Sequence, residues 1–185
     1  VIANKNIIAY SNVISMSNLI SMNDIITNSN IFSSNDIYAN KYLIGNSNII
    51  SSNDIIASSN IIANNIISQK NITASSNIFS LSNITSFSNI IAYSNLTSYS
   101  NINALNDIKA DKYVIANIDI IASNNIISSK DIISQSNIIS SYIIAQSNLI
   151  SSNDLYVSSN IYSSFLYGSG ANIKDISFSQ IQGFT

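Results

Sequence analysis

The sequence predicts an all-β chain: a parallel β-solenoid, most simply triangular, with three short strands in each coil of about 18 residues. Three observations predict it. A six-residue unit recurs from Asn6 to Leu166, stated most plainly by Ser47 to Asn60, Ser-Asn-Ile-Ile-Ser-Ser-Asn-Asp-Ile-Ile-Ala-Ser-Ser-Asn. Within each unit a large aliphatic residue and a small residue sit two places apart. Each unit then closes on Asn or Asp.

Counted from its first aliphatic residue, position 1 is Ile7, Val13, Leu19, Ile25, Ile31, Ile37, Leu43, Ile49, Ile55 and Ile61. It resumes at Ile66, runs at step six to Ile138, and continues through Ile143, Leu149, Leu155, Ile161 and Leu166. No polar residue takes that place. Position 2 is often Ile, but Thr73, Thr85, Thr97, Asn103, Lys109, Phe79 and Tyr156 also occur there. A site that accepts Lys is not a sealed core. Position 3 is almost always Ala or Ser (Ala9, Ser15, Ser21, Ala57, Ala63, Ala122), with Thr27, Gly45, Val157 and Gly168 as variants. A site that refuses bulk is close-packed.

Side chains along a strand point alternately to opposite faces. Positions 1 and 3 therefore share the interior, one large and one small, and position 2 faces out. Position 6 is Asn or Asp in most units, as at Asn12, Asn18, Asp24, Asn30, Asp36 and Asp54. These residues tolerate left-handed backbone and bond locally in turns, so positions 4 to 6 form a corner. A helix does not fit. Apolar pairs every six residues drift around a helix of 3.6 residues per turn, and β-branched Ile with turn-forming Ser and Asn opposes helix formation.

This code resembles the hexapeptide-repeat family in its period and its aliphatic positions, over about nine-tenths of the chain. The resemblance implies a left-handed parallel β-helix with three strands per triangular coil. The chain departs from the family where Gly or a small acidic residue usually follows the aliphatic position; here that place holds Ile, Phe, Tyr or Thr. Mapping Asn/Asp onto the family's left-handed corner puts Ile in the usual small inward site and Ala/Ser in the usual large one. A flattened two-strand coil of 12 residues and a right-handed coil of the pentapeptide-repeat type remain alternatives. For the family's acyltransferases the resemblance would imply a His base between coils. This chain has no His and no long loop, so that activity is not expected.

The 185 residues fit one elongated domain. Three units per coil give roughly nine coils and a rod on the order of 45 Å. Charged residues are 9% of the chain, the net charge is −2, and every acid is Asp and every base Lys. That gives no basic footprint for nucleic acid and no polybasic membrane patch. Phased apolar residues at 46% argue against a disordered Ser/Asn-rich segment. Absence of Pro suits continuous ladders, and absence of Cys removes disulfides and thiolate metal sites. There is no signal peptide and no 18-residue apolar run, so membrane insertion is not expected. Val1-Ile-Ala-Asn matches Val114-Ile-Ala-Asn, which suggests a piece cut from a longer repeat.

Along the chain, Val1 to Ala9 enters with a one-residue irregularity. One residue is then missing between Ile61 and Ile66, between Ile138 and Ile143, and between Ile161 and Leu166. Losing a residue inside a strand would flip its faces. The deletions are therefore expected in corners, near Asn64-Asn65, Ser141-Tyr142 and Ser164-Phe165. A longer repetition relates Asn35 to Asn46 with Asn106 to Asn117, 71 residues on, each carrying Lys and Tyr (Lys41-Tyr42, Lys112-Tyr113) in place of the corner pattern. From Gly168 the code breaks, so residues 1–167 are read as the solenoid and 168–185 as a C-terminal cap or the start of a following segment.

No residue set carries catalytic logic. The Asp residues stand singly at corners, with Asp24 and Asp36 expected on different edges. The Gly-Gly-x-Gly-x-Asp nonapeptide of calcium-binding solenoids is absent. Asn-x-Thr sequons at Asn71, Asn83 and Asn95 are cheap matches in an Asn-rich chain. Position 6 Asn is expected to stack into amide ladders from coil to coil. No enzyme activity, cofactor, metal or small-molecule substrate is expected.

The outward apolar residues are the candidate assembly surface: Ile8, Ile26, Ile44 and Ile62 at position 2, and Phe87, Tyr93, Tyr99 and Leu105 at position 4, with Phe87 and Leu105 on one edge. Contiguous outward apolar surface tends to mark partner sites; the competing reading is Ile half-buried against its stacked neighbours. The functional expectation is a structural repeat, a segment of an extracellular filament, surface fibre or adhesin stalk that self-associates. Surface recognition resembling ice-binding or glycan-binding solenoids is the alternative, although ice-binding solenoids favour ranks of Thr that are scarce here. A bactofilin-like cytoskeletal polymer is a weaker one.

Overall fold

The computed structural model describes residues 1–167; the proposed cap at 168–185 lies outside the described residues. These residues form 25 strands and no helix. Every strand pairing is parallel, and the whole is one continuous sheet wound into about nine coils.

The register states the coil size. Ile7 pairs with Ile25, and Ile84 with Ile102, an offset of 18. Three six-residue units therefore complete one coil, and the flattened 12-residue coil is excluded. Strands fall on three faces. The first begins Ile2, Ile20, Tyr38, Ile56 in its outward row. The second begins Ile8, Ile26, Ile44, Ile62. The third begins Ile14, Phe32, Ile50, Ile67. The first edge joins the first face to the second, the second edge joins the second to the third, and the third edge closes the coil.

All three deletions lie at corners, one on each edge. Across Asn64-Asn65 the offset falls to 17, as in Ile55 with Ile72. The same occurs across Ser141-Tyr142, where Ile126 pairs with Ile143, and across Ser164-Phe165, where Leu149 pairs with Leu166. Shortened corners stay in the ladder: Asn65 pairs with Asn48, Tyr142 with Asn125 and Phe165 with Asn148. Most strands are the expected three residues, but Leu43–Ser51, Ile61–Ser68, Tyr142–Ser151 and Ile161–Tyr167 run on through a corner. At the start of the chain the expected irregularity is absent. Ile2 pairs with Ile20 and Ala3 with Ser21, so Val1 is an ordinary position 1.

The core is the inward column. Every position 1 side chain from Leu19 to Leu149 is fully buried, and the small residues beside them are buried too, from Ser15 to Ser151. The size limit at position 3 has a visible cause at Gly45. A Cβ there would stand 3.1 Å from Ile49 Cγ1, tighter than ordinary contact.

Inward Ser has a second reason. The Ser33 hydroxyl donates 2.6 Å to the Ser17 carbonyl, 16 residues back, and accepts the Asn35 N–H at 3.3 Å. Ser80 repeats this, donating to the Asn64 carbonyl at 2.6 Å and accepting the Ser82 N–H at 3.2 Å. Ser therefore bridges corner backbone groups of successive coils and staples one coil to the next; where Ala takes the place, the same groups bond directly, as the Lys112 N–H does to the Ser94 carbonyl at 3.0 Å.

Candidate interaction surface

Two sets of side chains face solvent: the outward strand residues and the corners. The corners are organised by position 6. On the second edge, the Asn30 N–H donates to Asn12 Oδ1 at 3.2 Å, and Asn48 N–H and Nδ2 donate to Asn30 Oδ1 at 3.1 and 3.0 Å. The chain of acceptors continues through Asn65, Asn83, Asn101, Asp119 and Asn137 to Asp154. The expected ladder is present, and its chemistry explains why Asn and Asp interchange. The place requires an acceptor for the backbone N–H one coil on; Asn adds a donor that Asp lacks.

The first edge differs. Tyr42 and Tyr113 stand there four coils apart, in the column Tyr42, Asn60, Asn77, Asn95, Tyr113. The Asn77 N–H donates to Asn60 Oδ1 at 3.0 Å and the Asn95 N–H to Asn77 Oδ1 at 3.2 Å. Tyr113 has no side-chain amide to donate, and its backbone N–H does not bond Asn95 Oδ1 as the Tyr42 N–H bonds Asp24 Oδ1. Among the described residues, Asn95 Oδ1 is the buried side-chain oxygen left without a hydrogen-bond partner. Lys130 instead places its ammonium 5.4 Å from the centroid of the Tyr113 ring, within cation–π range.

The carboxylates serve the same ladders. Asp24 lies on the first edge and accepts the Tyr42 N–H at 3.2 Å; Asp36 lies on the third and accepts the Asp54 N–H at 3.3 Å. Their separation onto two edges is as expected. The stacking of Asp36 under Asp54 was visible in their 18-residue spacing. Asp54 in turn accepts from Asn71 N–H and Nδ2, both at 3.0 Å. No group of three or more His, Cys, Asp or Glu able to hold a metal ion occurs among the described residues. The sequon residues Asn71, Asn83 and Asn95 fall on three different edges, inside the ladders.

The outward strand residues are half-buried for most of the rod, because each packs on its neighbour one coil away. Lys109 is exposed. Of the eight candidate assembly residues, Ile8, Ile26, Ile44 and Ile62 form one unbroken row on the second face. The other four divide. Phe87 and Leu105 stack on the third edge, Tyr93 projects from the first, and Tyr99 from the second. All four corner residues are more than half exposed. They are not one patch, since each six-residue step turns the chain to the next face.

Sequence reasoning stopped the row at Ile62. The structure continues it through Phe79, Thr97, Ile115, Ile133 and Ile150. The missing residue at Asn64-Asn65 hides this, although counting units in threes across the gap recovers it. Leu81, the first residue of the same hydrophobic position 4 run, stands on the second edge one coil before Tyr99. Phe79 meets Tyr99 edge-on, with ring centroids 5.4 Å apart. Beside Phe79 runs an open groove of about 260 Å³, lined by Asn60, Asn77 and Asn95 and by Ile62, Phe79 and Thr97.

Outward Thr73, Thr85 and Thr97 lie on the first, third and second faces respectively. No two of the three stack into a rank. Comparison with family models, with curated proteins and with solved structures found no match.

Proposed function

We propose that this chain is a structural repeat, a stiff segment of a surface or extracellular fibre that associates with further copies of itself and performs no catalysis. The observation that supports it most is uniformity. From Leu19 to Leu149 each coil presents the same inward aliphatic column with a small residue beside it, and Asn or Asp stands at most corners. Enzymes concentrate irregularity, loops and unusual polar groups at one place. Here the departures are single-residue corner deletions, through which the paired backbone runs, and Tyr in place of the corner Asn or Asp at Tyr42, Tyr113 and Tyr142.

Uniform stacking makes a rod resistant to bending, because each coil is hydrogen-bonded to both neighbours along all three faces. The outward Ile rows supply the adhesive component. Half-buried in the single rod, they keep enough apolar area in water to favour burial against another copy.

The test combines light scattering over a wide concentration range with electron microscopy. The expected result is mass that grows with concentration and rods that pair or bundle. A dispersed monomer at every concentration would remove self-association from the reading. Labelling intact cells of the source with an antibody to the chain tests the surface placement, and signal only after lysis would overturn it.

A further inference from the structure

We propose that the second face is the one that pairs, and that its occupant is the second face of another copy. This rests on the self-association proposed above and adds which surface carries it. The three outward rows are not equal. The first carries Thr73 and, two coils further, the charged Lys109. The third places Thr85 directly against Asn103, a polar break across adjacent coils. The second runs Ile8, Ile26, Ile44, Ile62, Phe79, Thr97, Ile115, Ile133, Ile150, with Thr97 its single polar member and no charge.

The second edge widens that row. Leu81, Tyr99 and Ile118 project beside it, 54%, 54% and 43% exposed, and Tyr99 packs on Phe79. Charge around this face is confined to its two borders: Lys41, Lys112 and Lys130 on the first edge, and the ladder carboxylates Asp119 and Asp154 on the second.

The area suits a second copy. A face about five residues wide and a rod of about 45 Å give on the order of 700 Å² per copy, or about 1,400 Å² for the pair. That falls within the range of stable interfaces between proteins. A two-fold pair buries the same face on both copies and closes, leaving the first and third faces outward.

The experiment exploits the fact that Lys at position 2 is native to this rod at Lys109. Lys is placed on the second face (I62K with I115K), on the first (I56K with I91K) and on the third (I50K with I121K), and each protein is weighed by sedimentation equilibrium. Equal far-ultraviolet spectra and melting identify variants that keep the fold. The expected result is a wild type near twice the 20.0 kDa of one chain. The second-face pair should weaken association by at least roughly 100-fold, since each copy brings two charges to be buried unpaired, and the other pairs by less than about 3-fold. Loss of association in the first- or third-face variants, with the second-face variant still paired, would overturn this assignment but leave self-association standing. A wild type that stays monomeric would overturn both.

Discussion

Ile66 and Ile67 are neighbours with the same side chain and opposite fates. Ile66 is fully buried in the inward column; Ile67 faces out and is half-buried in a ladder of its own kind. The comparison extends to the two whole columns. Alternation assigns the role, and the identity of the residue does not. The inward column sets stability and the outward row sets what the rod meets.

The sharpest way to break this comparison is to truncate each partner in turn. Ile66→Ala should cost about 2–5 kcal/mol, from lost burial and the cavity left in the column. Ile67→Ala should cost about 1 kcal/mol or less. Urea unfolding of both proteins measures the difference, and equal losses would contradict the assignment of faces.

Adding bulk gives the next largest contrast. Ala74→Leu forces a large side chain beside fully buried Ile72 and should cost about 1–3 kcal/mol. Thr73→Ile, one residue away and outward, should be neutral or slightly stabilising, because Ile already stands in that row at Ile56 and Ile91. Thermal unfolding separates the two.

A smaller effect compares edges. Asn83→Ala on the second edge removes an acceptor used by Asn101 Nδ2 at 3.2 Å and should cost about 1 kcal/mol. Asn95→Ala on the first edge removes an oxygen with no partner and should cost less than about 0.5 kcal/mol. The smallest expected change is a gain. Tyr113→Asn offers Asn95 Oδ1 the amide donor it lacks, at the loss of the Lys130–Tyr113 contact, for a net stabilisation of about 0.5 kcal/mol. Hydrogen exchange of the flanking coils resolves effects of this size.

Much of the fold was legible because a period of six, combined with strand alternation, leaves one arrangement of inside and outside. The corner placement of the three deletions followed from the same rule, as did the row Ile8, Ile26, Ile44, Ile62 and the sharing of an edge by Phe87 and Leu105. Less legible were effects that act between coils. The Ser33 hydroxyl bond to Ser17 joins residues 16 apart, and a size preference alone does not announce it. The ladder was foreseen as amide stacking, but its common element is a backbone N–H bonding to Oδ1, which only the stacked geometry reveals. The division of Phe87, Tyr93, Tyr99 and Leu105 among three edges follows from the step between faces. A one-residue gap is enough to lose count of that step.

The 18-residue coil underlies every one of these claims, and one distance tests it. The chain has no Cys, so spin labels can be placed cleanly on cysteines introduced at Met22 and Ser129. Both are exposed corner residues on the first edge. Six coil steps at about 4.8 Å predict a narrow distribution near roughly 29 Å, broadened only by the label arms. A maximum near roughly 43 Å, as a 12-residue coil would give, or a broad distribution without a maximum, would contradict the three-sided rod.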